Sequence, residues 1–170
     1  LDNLRVPDKN ILGKEGAGFA IANDRLSRQR IPYAAECVGV AMRAHEMAVE
    51  YSKQRETFGA TLSSRQGIQW MLVESEVDIR SMRWLVLDAA ARADRGESFR
   101  TESAIAKLQC AELSFKVVDR SMQIHGGLGV AKDLPLERWF REMRIRRIGE
   151  GPSEVQKHVI ARDILGAALR

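Results

Sequence analysis

Cysteine, histidine, proline and aromatic residues are all scarce in this chain, and each scarcity excludes something. The two cysteines, Cys37 and Cys110, stand far apart with no CxxC spacing, so no disulfide framework or zinc ribbon can be assembled from them. Buried, reduced thiols are the reading they allow. The three histidines, His45, His125 and His158, fall on separate segments without an HExxH spacing, and no metal site is expected. Aromatic residues make up only 6% and prolines number four, while alanine, leucine, arginine and glutamate abound, a mixture that favours helix over sheet. No apolar run approaches the roughly 20 residues of a membrane span, and no signal-peptide pattern opens the chain. Nucleotide-binding and serine-nucleophile signatures are absent: there is no Walker loop, no GxSxG elbow and no GxGxxG after a strand. Charge of one sign is not abundant either. The 27 basic residues are interspersed with 23 acidic ones for a net charge of +4, so a nucleic-acid partner is not expected.

What is present is helical periodicity. The 170 residues suit one domain with a core. Because the chain starts at Leu1 rather than a methionine, it is read as a piece of a longer or processed protein. Residues 1–18 form an irregular lead-in with Pro7 and three glycines. From there to about Arg55 an apolar stripe (Ile21, Leu26, Val38, Ala41, Ala44, Met47, Ala48, Tyr51) repeats by threes and fours, the mark of a long helix. Pro32 either kinks this helix or lies near its true start. After a break at Glu56–Ser64, a second long helix spans about Arg65–Arg95, with Ile68, Met71, Leu72, Val77, Ile79, Met82, Leu85, Val86 and Ala89 on its apolar side. Thr101 can cap a third helix, buried along Ala104, Leu108, Ala111, Phe115, Val118 and Met122 and stopped by Gly126 and Gly127. A short helix over Leu136–Arg144 carries Leu136, Trp139, Phe140 and Met143 on one side. A last helix begins at Pro152 with Val155, Val159, Ile160, Ile164 and Leu165. No segment alternates convincingly as a strand. The expected fold is all-α: an up-and-down four-helix bundle with an additional short helix and a C-terminal helix, occupying residues 19–170.

Three local features could carry chemistry, and each has a plain structural alternative. The run Gly126-Gly127-Leu128-Gly129 either ends a helix or lets a ligand's phosphate come close to backbone. Glu150, between Gly149 and Gly151 and just before a helix, either reaches into a cleft or caps the helix at the surface. Arg138, Arg141, Arg144, Arg146 and Arg147 either pair with neighbouring glutamates or grip phosphate.

Five segments, in order, resemble the acyl-CoA dehydrogenase family. Val6-Pro7-Asp8 through Gly18-Phe19 is similar to its link from a middle β-domain into the C-terminal helices. Arg55-Glu56-Thr57-Phe58-Gly59 with Gln66 resembles R-x-T-F-G…Q. Gln123-Ile124-His125-Gly126-Gly127-Leu128-Gly129 resembles Q-x-x-G-G-x-G. Leu134–Arg138 with Arg141–Ile145 resembles P-x-E-R…R-D-x-R-I, which absorbs most of the arginine cluster. Glu150-Gly151-Pro152-Ser153-Glu154-Val155-Gln156 resembles the E-G-T-x-x-x-Q segment that holds the base.

The resemblance implies an FAD enzyme in which Glu150 removes the pro-R α-proton of an acyl-CoA and the β-hydrogen leaves as hydride to flavin N5, giving a 2-enoyl-CoA. The α-proton of a thioester is only weakly acidic, so such an enzyme must exclude water around its base and supply donors to the enolate oxygen. By position, Arg55, Thr57, Gln66, Gln123, Ile124, His125, Gly126, Gly127, Pro152 and Glu154 would contact FAD, held mainly by a neighbouring subunit. Arg30, Gly149 and Gly151 would meet substrate. Gly149 stands where the family commonly has tyrosine and Pro152 where it has threonine. These departures favour a branched, aromatic, long or hydroxylated acyl group. The implied partners are acyl-CoA, the N-terminal and middle domains of the same protein, a second copy in a homodimer or homotetramer, and an electron-transfer flavoprotein as acceptor. The isolated piece is expected to be inactive. The implied location is cytoplasmic in a bacterium, mitochondrial or peroxisomal in a eukaryote. A flavin oxidase or monooxygenase, and a non-catalytic oligomerising or DNA-binding relative, remain the competing readings.

Overall fold

Small residues decide how the helices meet. In the computed structural model, which describes residues 1–166, helix α1 runs Gly18–Gln54, α2 Gln66–Asp94 and α3 Arg100–His125. Shorter helices follow: α4 at Gly127–Val130, α5 at Leu136–Arg146 and α6 at Ser153–Leu165. The part of the expected domain beyond residue 166 lies outside the described residues. On α1, Ala34, Cys37, Ala41, Ala44 and Ala48 recur by threes and fours and are buried. They pack on α3, where Ser103, Ala106, Cys110, Ser114, Val117 and Ser121 are buried at the same spacing. Two seams of small side chains let the axes approach closely, so dispersion between backbones replaces the bulk that leucines would supply. The buried hydroxyls turn back onto their own helix, as Ser121 does to the Val117 carbonyl at 2.8 Å and Ser103 to that of Arg100 at 3.0 Å, which satisfies them without a partner across the seam.

Cross-helix pairs set the directions. Arg92 meets Glu102 while Arg120 meets Glu74 and Asp78, so α2 and α3 are antiparallel. Tyr33 lies near Lys107 and Tyr51 stacks on His125, so α1 and α3 are parallel. The fold is all-α as expected, with α3 at its centre. The fourth side of the bundle is shared by α5 and α6, both packed on α3.

Several details differ from the sequence-based expectation. Pro32 sits inside α1, and the helix continues on both sides of it; its missing N–H removes one hydrogen bond from a helix otherwise held by packing. Thr101 does not cap α3: the helix begins one residue before it, with Phe99 at the cap position and no side-chain cap. The break between α1 and α2 holds a two-stranded ribbon, β1 at Glu56–Thr57 against β2 at Ala60–Thr61. Its turn places Phe58 at φ 50° and Gly59 at φ 73°, the paired positive φ of a two-residue type I′ hairpin. Ile21, Leu26, Val77, Val155, Ile164 and Leu165 are exposed rather than core. Ile21 and Leu26 belong to the first turns of α1, which stand clear of the other helices and are exposed almost throughout. Among the described residues no helix is long and apolar enough to cross a membrane.

Candidate active site

The turn between α5 and α6 is the most unusual backbone in the chain. Glu150 has φ 55° and Gly151 φ 90°. The left-handed region is sparsely used by any residue with a Cβ, and a glutamate held there signals a surrounding structure that over-determines it. The determinants are visible. Gln156, fully buried on the first turns of α6, donates its amide to the carbonyl of Glu150 at 3.1 Å and to that of Gly151 at 2.9 Å. Lys107, reaching from α3, donates to the same Gly151 carbonyl at 2.7 Å. A Cβ on Gly151 would sit 2.7 Å from the Gln156 amide, and one on Gly149 would sit 2.6 Å from the Tyr33 hydroxyl. Gly151 is therefore demanded by its backbone and crowded by Gln156, and a side chain at Gly149 would require the Tyr33 hydroxyl to move.

Unsatisfied polar atoms gather at this turn. Glu150 Oε2, Arg30 Nε and Gln156 Oε1 are buried without a hydrogen-bond partner. Buried polar atoms are nearly always paired, so three orphans around one turn mark a place where a ligand's polar groups belong. Arg30 is buried on α1, with its guanidinium close to Gly151. Burial, helped by the nearby Arg100, lowers its pKa against the pull of Glu150. Burial pushes Lys107 down to about 8. Tyr33, under the Arg146 guanidinium at 4.3 Å, has its phenol pushed up by burial despite that cation.

A second region lies at the other end of α3. Tyr51, Arg55, Thr57, Leu62, Ile124, His125, Gly126, Gly127 and Leu128 line an open cleft of about 470 Å³. The cleft thus gathers six of the ten residues expected at a cofactor. His125 is buried, donates from Nδ1 to the Ser121 carbonyl at 2.7 Å and stacks on Tyr51 with centroids 4.5 Å apart. Ile124 is buried too, so its side chain belongs to the core. Gln123 lines an adjoining cleft with Asp119, Met122 and Phe140. Gln66 opens α2 outside both clefts. Pro152 and Glu154 stay with the Glu150 turn, Pro152 as the residue preceding α6 and Glu154 exposed in its first turn.

The cleft suits a dinucleotide's pyrophosphate. Gly126 is demanded by its backbone, at φ 60°, whereas Gly127 has ordinary φ and a Cβ on it would meet nothing within 4 Å, so protein packing does not demand the second glycine; a close-lying ligand would. Arg55 is exposed and forms no ion pair among the described residues, which leaves a cation for a phosphate. The two regions are far apart. Lys107 at the Glu150 turn and His125 at the cleft are separated by 18 residues of α3, about 27 Å at 1.5 Å per residue.

Four of the five arginines of the cluster are ion-paired, Arg144 having no such partner among the described residues. Arg138 pairs with Glu142, Arg141 with Glu137, Arg146 with Glu36 and Arg147 with Glu112. The last two tie the approach to the Glu150 turn to α1 and α3. Glu112 also accepts from Ser153 at 2.7 Å; burial works to raise its pKa, and these two partners outweigh burial and lower it. Sequence reasoning missed Lys107, Tyr33 and the exposed Phe58. Phe58 stood inside a quoted motif. Lys107 and Tyr33 carried no local signal, since only the fold brings them to the turn. Among the described residues no group of three or more potential metal ligands clusters.

Comparison with known proteins identifies the family and the fold. Residues 16–165 match the family model described as acyl-CoA dehydrogenase, C-terminal domain. The chain is 42% identical over 164 residues to the acryloyl-CoA reductase (NADH) of Anaerotignum propionicum, covering 96% of this chain and 42% of that protein. It superposes on butyryl-CoA dehydrogenase from Megasphaera elsdenii with a TM-score of 0.90 at 39% identity, over 94% of this chain and 42% of that one. The FAD complex of PigA is similar in structure, with a TM-score of 0.89 at 28% identity over 94% of this chain and 42% of that one. The chain thus spans less than half the length of these relatives.

Proposed function

The chain belongs to the acyl-CoA dehydrogenase family as its C-terminal domain, and from that premise we propose that the protein containing it is an FAD-dependent oxidoreductase acting on the Cα–Cβ bond of an acyl-CoA, with Glu150 as the base. The observation that carries this reading is the carboxylate oxygen of Glu150, buried and without a hydrogen-bond partner on a turn whose backbone is locked. An acceptor with nothing to accept is poised for a proton that arrives with substrate. Arg30, with its own buried and unpartnered nitrogen, would meet the polar part of the thioester ligand. When bound, FAD supplies the acceptor for the β-hydrogen as hydride. Arg55, Thr57, Gly126 and Gly127 would hold its pyrophosphate region, with Gln66 and Gln123 nearby. Because these residues lie about 27 Å along α3 from Glu150, they serve a flavin other than the one facing their own base, which calls for a second copy of the chain.

That second copy has a surface to dock on. Trp70, Val73, Val77, Trp84 and Leu87 are all exposed on α2, and they repeat by threes, fours and sevens. Such a stripe is a helix-packing seam, so a homodimer or homotetramer is the proposed assembly. The exposed Leu4, Val6, Ile11, Leu12 and Phe19 would be covered by the rest of the protein, including a middle β-domain. Electron-transfer flavoprotein is the proposed acceptor. Gly149 and Pro152, which depart from the family's common tyrosine and threonine, support an acyl group that is not a simple straight chain. Similarity to a named reductase supports one further point: Glu150 can equally return a proton to the α-carbon, and the redox partner sets the net direction.

The test is anaerobic titration of the full-length flavoprotein with straight, branched and aromatic acyl-CoA thioesters. Bleaching of the flavin band by one class, lost in Glu150→Gln, is the expected outcome. Absence of bleaching with every thioester would remove the dehydrogenase reading and that of an acyl-CoA oxidase with it, and leave a flavin monooxygenase or a non-catalytic module.

A further inference from the structure

We propose that Lys107 is the positioning residue of the base turn: a buried ammonium that grips the Gly151 carbonyl and thereby aims the Glu150 carboxylate at the substrate. The proposal rests on Glu150 being the base.

Lysine is among the residues least often fully buried, yet Lys107 is 0% exposed. A buried ammonium is costly unless paired. The nearest carboxylate on the same helix beyond it, Glu112, is already taken by Ser153 and Arg147. Lys107 instead gives its one hydrogen bond among the described residues to a peptide oxygen 44 residues away in sequence. A methionine or leucine would fill the same volume without the desolvation cost, so packing does not account for the amine.

The peptide it grips explains the choice. Gly151 is followed by Pro152, so the linking peptide has no N–H. Its plane can be held only through its oxygen. That oxygen accepts from Lys107 at 2.7 Å and from Gln156 at 2.9 Å, which uses both lone pairs, while Gln156 also holds the preceding carbonyl. Two consecutive peptides are thereby fixed, and with them the positive φ of Glu150. Without the ammonium, Gln156 alone would have to hold both carbonyls, and the glutamate would be free to relax toward ordinary backbone. Misplacing a reacting group by about 1 Å can cost on the order of a hundredfold in rate.

The charge also matters. Facing Lys107 are Arg30, Tyr33 and Cys37 from α1, Glu112 from its own helix and Glu150 from the turn, with Arg146 of α5 also against the Tyr33 ring. Burial and Arg30 favour the neutral amine, and the acids oppose them. A neutral amine donates a weaker hydrogen bond, so the grip loosens as pH rises through about 8.

The experiment uses full-length holoenzyme carrying Lys107→Met, Lys107→Gln or Lys107→Arg. The first readout is exchange of α-hydrogens with D2O in an acyl-CoA that has no β-hydrogen, which reports the proton step without flavin reduction. The second is the pH dependence of flavin bleaching. In the neutral variants exchange should fall about tenfold or more, with acyl-CoA affinity held within about threefold and FAD content unchanged. Lys107→Arg should recover part of the loss. An alkaline inflection near pH 8 should appear in the wild type and vanish in the neutral variants. Whichever neutral variant retains flavin carries the comparison. Wild-type exchange and pH profile in that variant, with Glu150→Gln inactive, would overturn the role of Lys107 and leave the base assignment standing. No exchange by the wild-type protein would overturn the base assignment and this proposal together.

Discussion

Gly151 combines two constraints that rarely coincide at one residue. Its φ of 90° already excludes most side chains, and a Cβ there would lie 2.7 Å from the Gln156 amide and 3.8 Å from the Arg30 guanidinium. Gly151→Ala should therefore cost about 1–3 kcal/mol of stability and displace Gln156 from the two carbonyls it holds. Thermal unfolding should show a lowered Tm, and flavin bleaching should slow by more than the stability loss explains. An unchanged Tm would mean that Gln156 moves aside freely and that the turn is less locked than its hydrogen bonds indicate.

Lys107 makes a second residue-scale prediction, this time about stability. Its folded-state pKa is lowered to about 8 from an ordinary 10.5. Between those values the unfolded chain binds more protons than the folded one, so folding stability rises with pH across that window. The penalty is fully present below about pH 8 and disappears as pH climbs to about 10.5. The Tm of the wild type should accordingly improve relative to Lys107→Met between pH 8 and pH 10. A difference in Tm that is flat over this range would show that the ammonium keeps its ordinary pKa in the fold.

At the scale of elements, α4 separates two kinds of glycine. Gly129 packs its α-carbon against the backbone of α3: a Cβ would lie 2.6 Å from the Met122 carbonyl oxygen and 2.9 Å from its Cα. Backbone cannot swing away, so Gly129→Ala should destabilise by about 1–3 kcal/mol. Gly127 has open space around it and no positive φ. Gly127→Ala should leave the Tm unchanged and weaken FAD retention, measured as flavin lost on gel filtration. If Gly127→Ala keeps its flavin, the cleft beside it is not where the pyrophosphate lies. The hairpin between α1 and α2 is a comparable device. Arg65 donates to the Thr57 carbonyl and lies 5.8 Å from the Phe58 ring centre, tying β1 to the start of α2 and keeping Arg55 and Thr57 at the cleft.

For the whole molecule, the exposed stripe on α2 is the feature that an isolated domain cannot explain. Trp84 is 73% exposed and lines a groove with Met42, His45 and Ile79. A large apolar surface of this kind marks an interface. Trp84→Glu should reduce the assembled mass measured by analytical ultracentrifugation, and flavin retention should fall with it if, as proposed, the cleft at Arg55 and Gly127 holds the cofactor of a neighbouring copy. A monomer that keeps full flavin occupancy would contradict shared ownership of the cofactor.

The helices, their approximate limits and the motifs at their ends were legible in the chain itself, because each is written in consecutive residues: the repeats of three and four, Gly96 after α2, Gly126 after α3 and the glycines around Glu150. Glu150 could be singled out because a carboxylate between two glycines ahead of a helix is a local pattern. Its surroundings could not. Lys107 reads as one polar residue within α3, and Tyr33 as one aromatic beside Pro32; neither points to residues 149–151 until α1 and α3 pack in parallel and α5 returns the chain across them. The exposure of Val77, Ile21 and Val155 was equally hidden, since periodicity identifies an apolar stripe and not what covers it. Local order is set by interactions within a few residues, which the chain order records directly. The locking of Glu150 depends on contacts spanning 44 residues to Lys107 and reaching Arg30 and Tyr33 on α1, and only packing decides those.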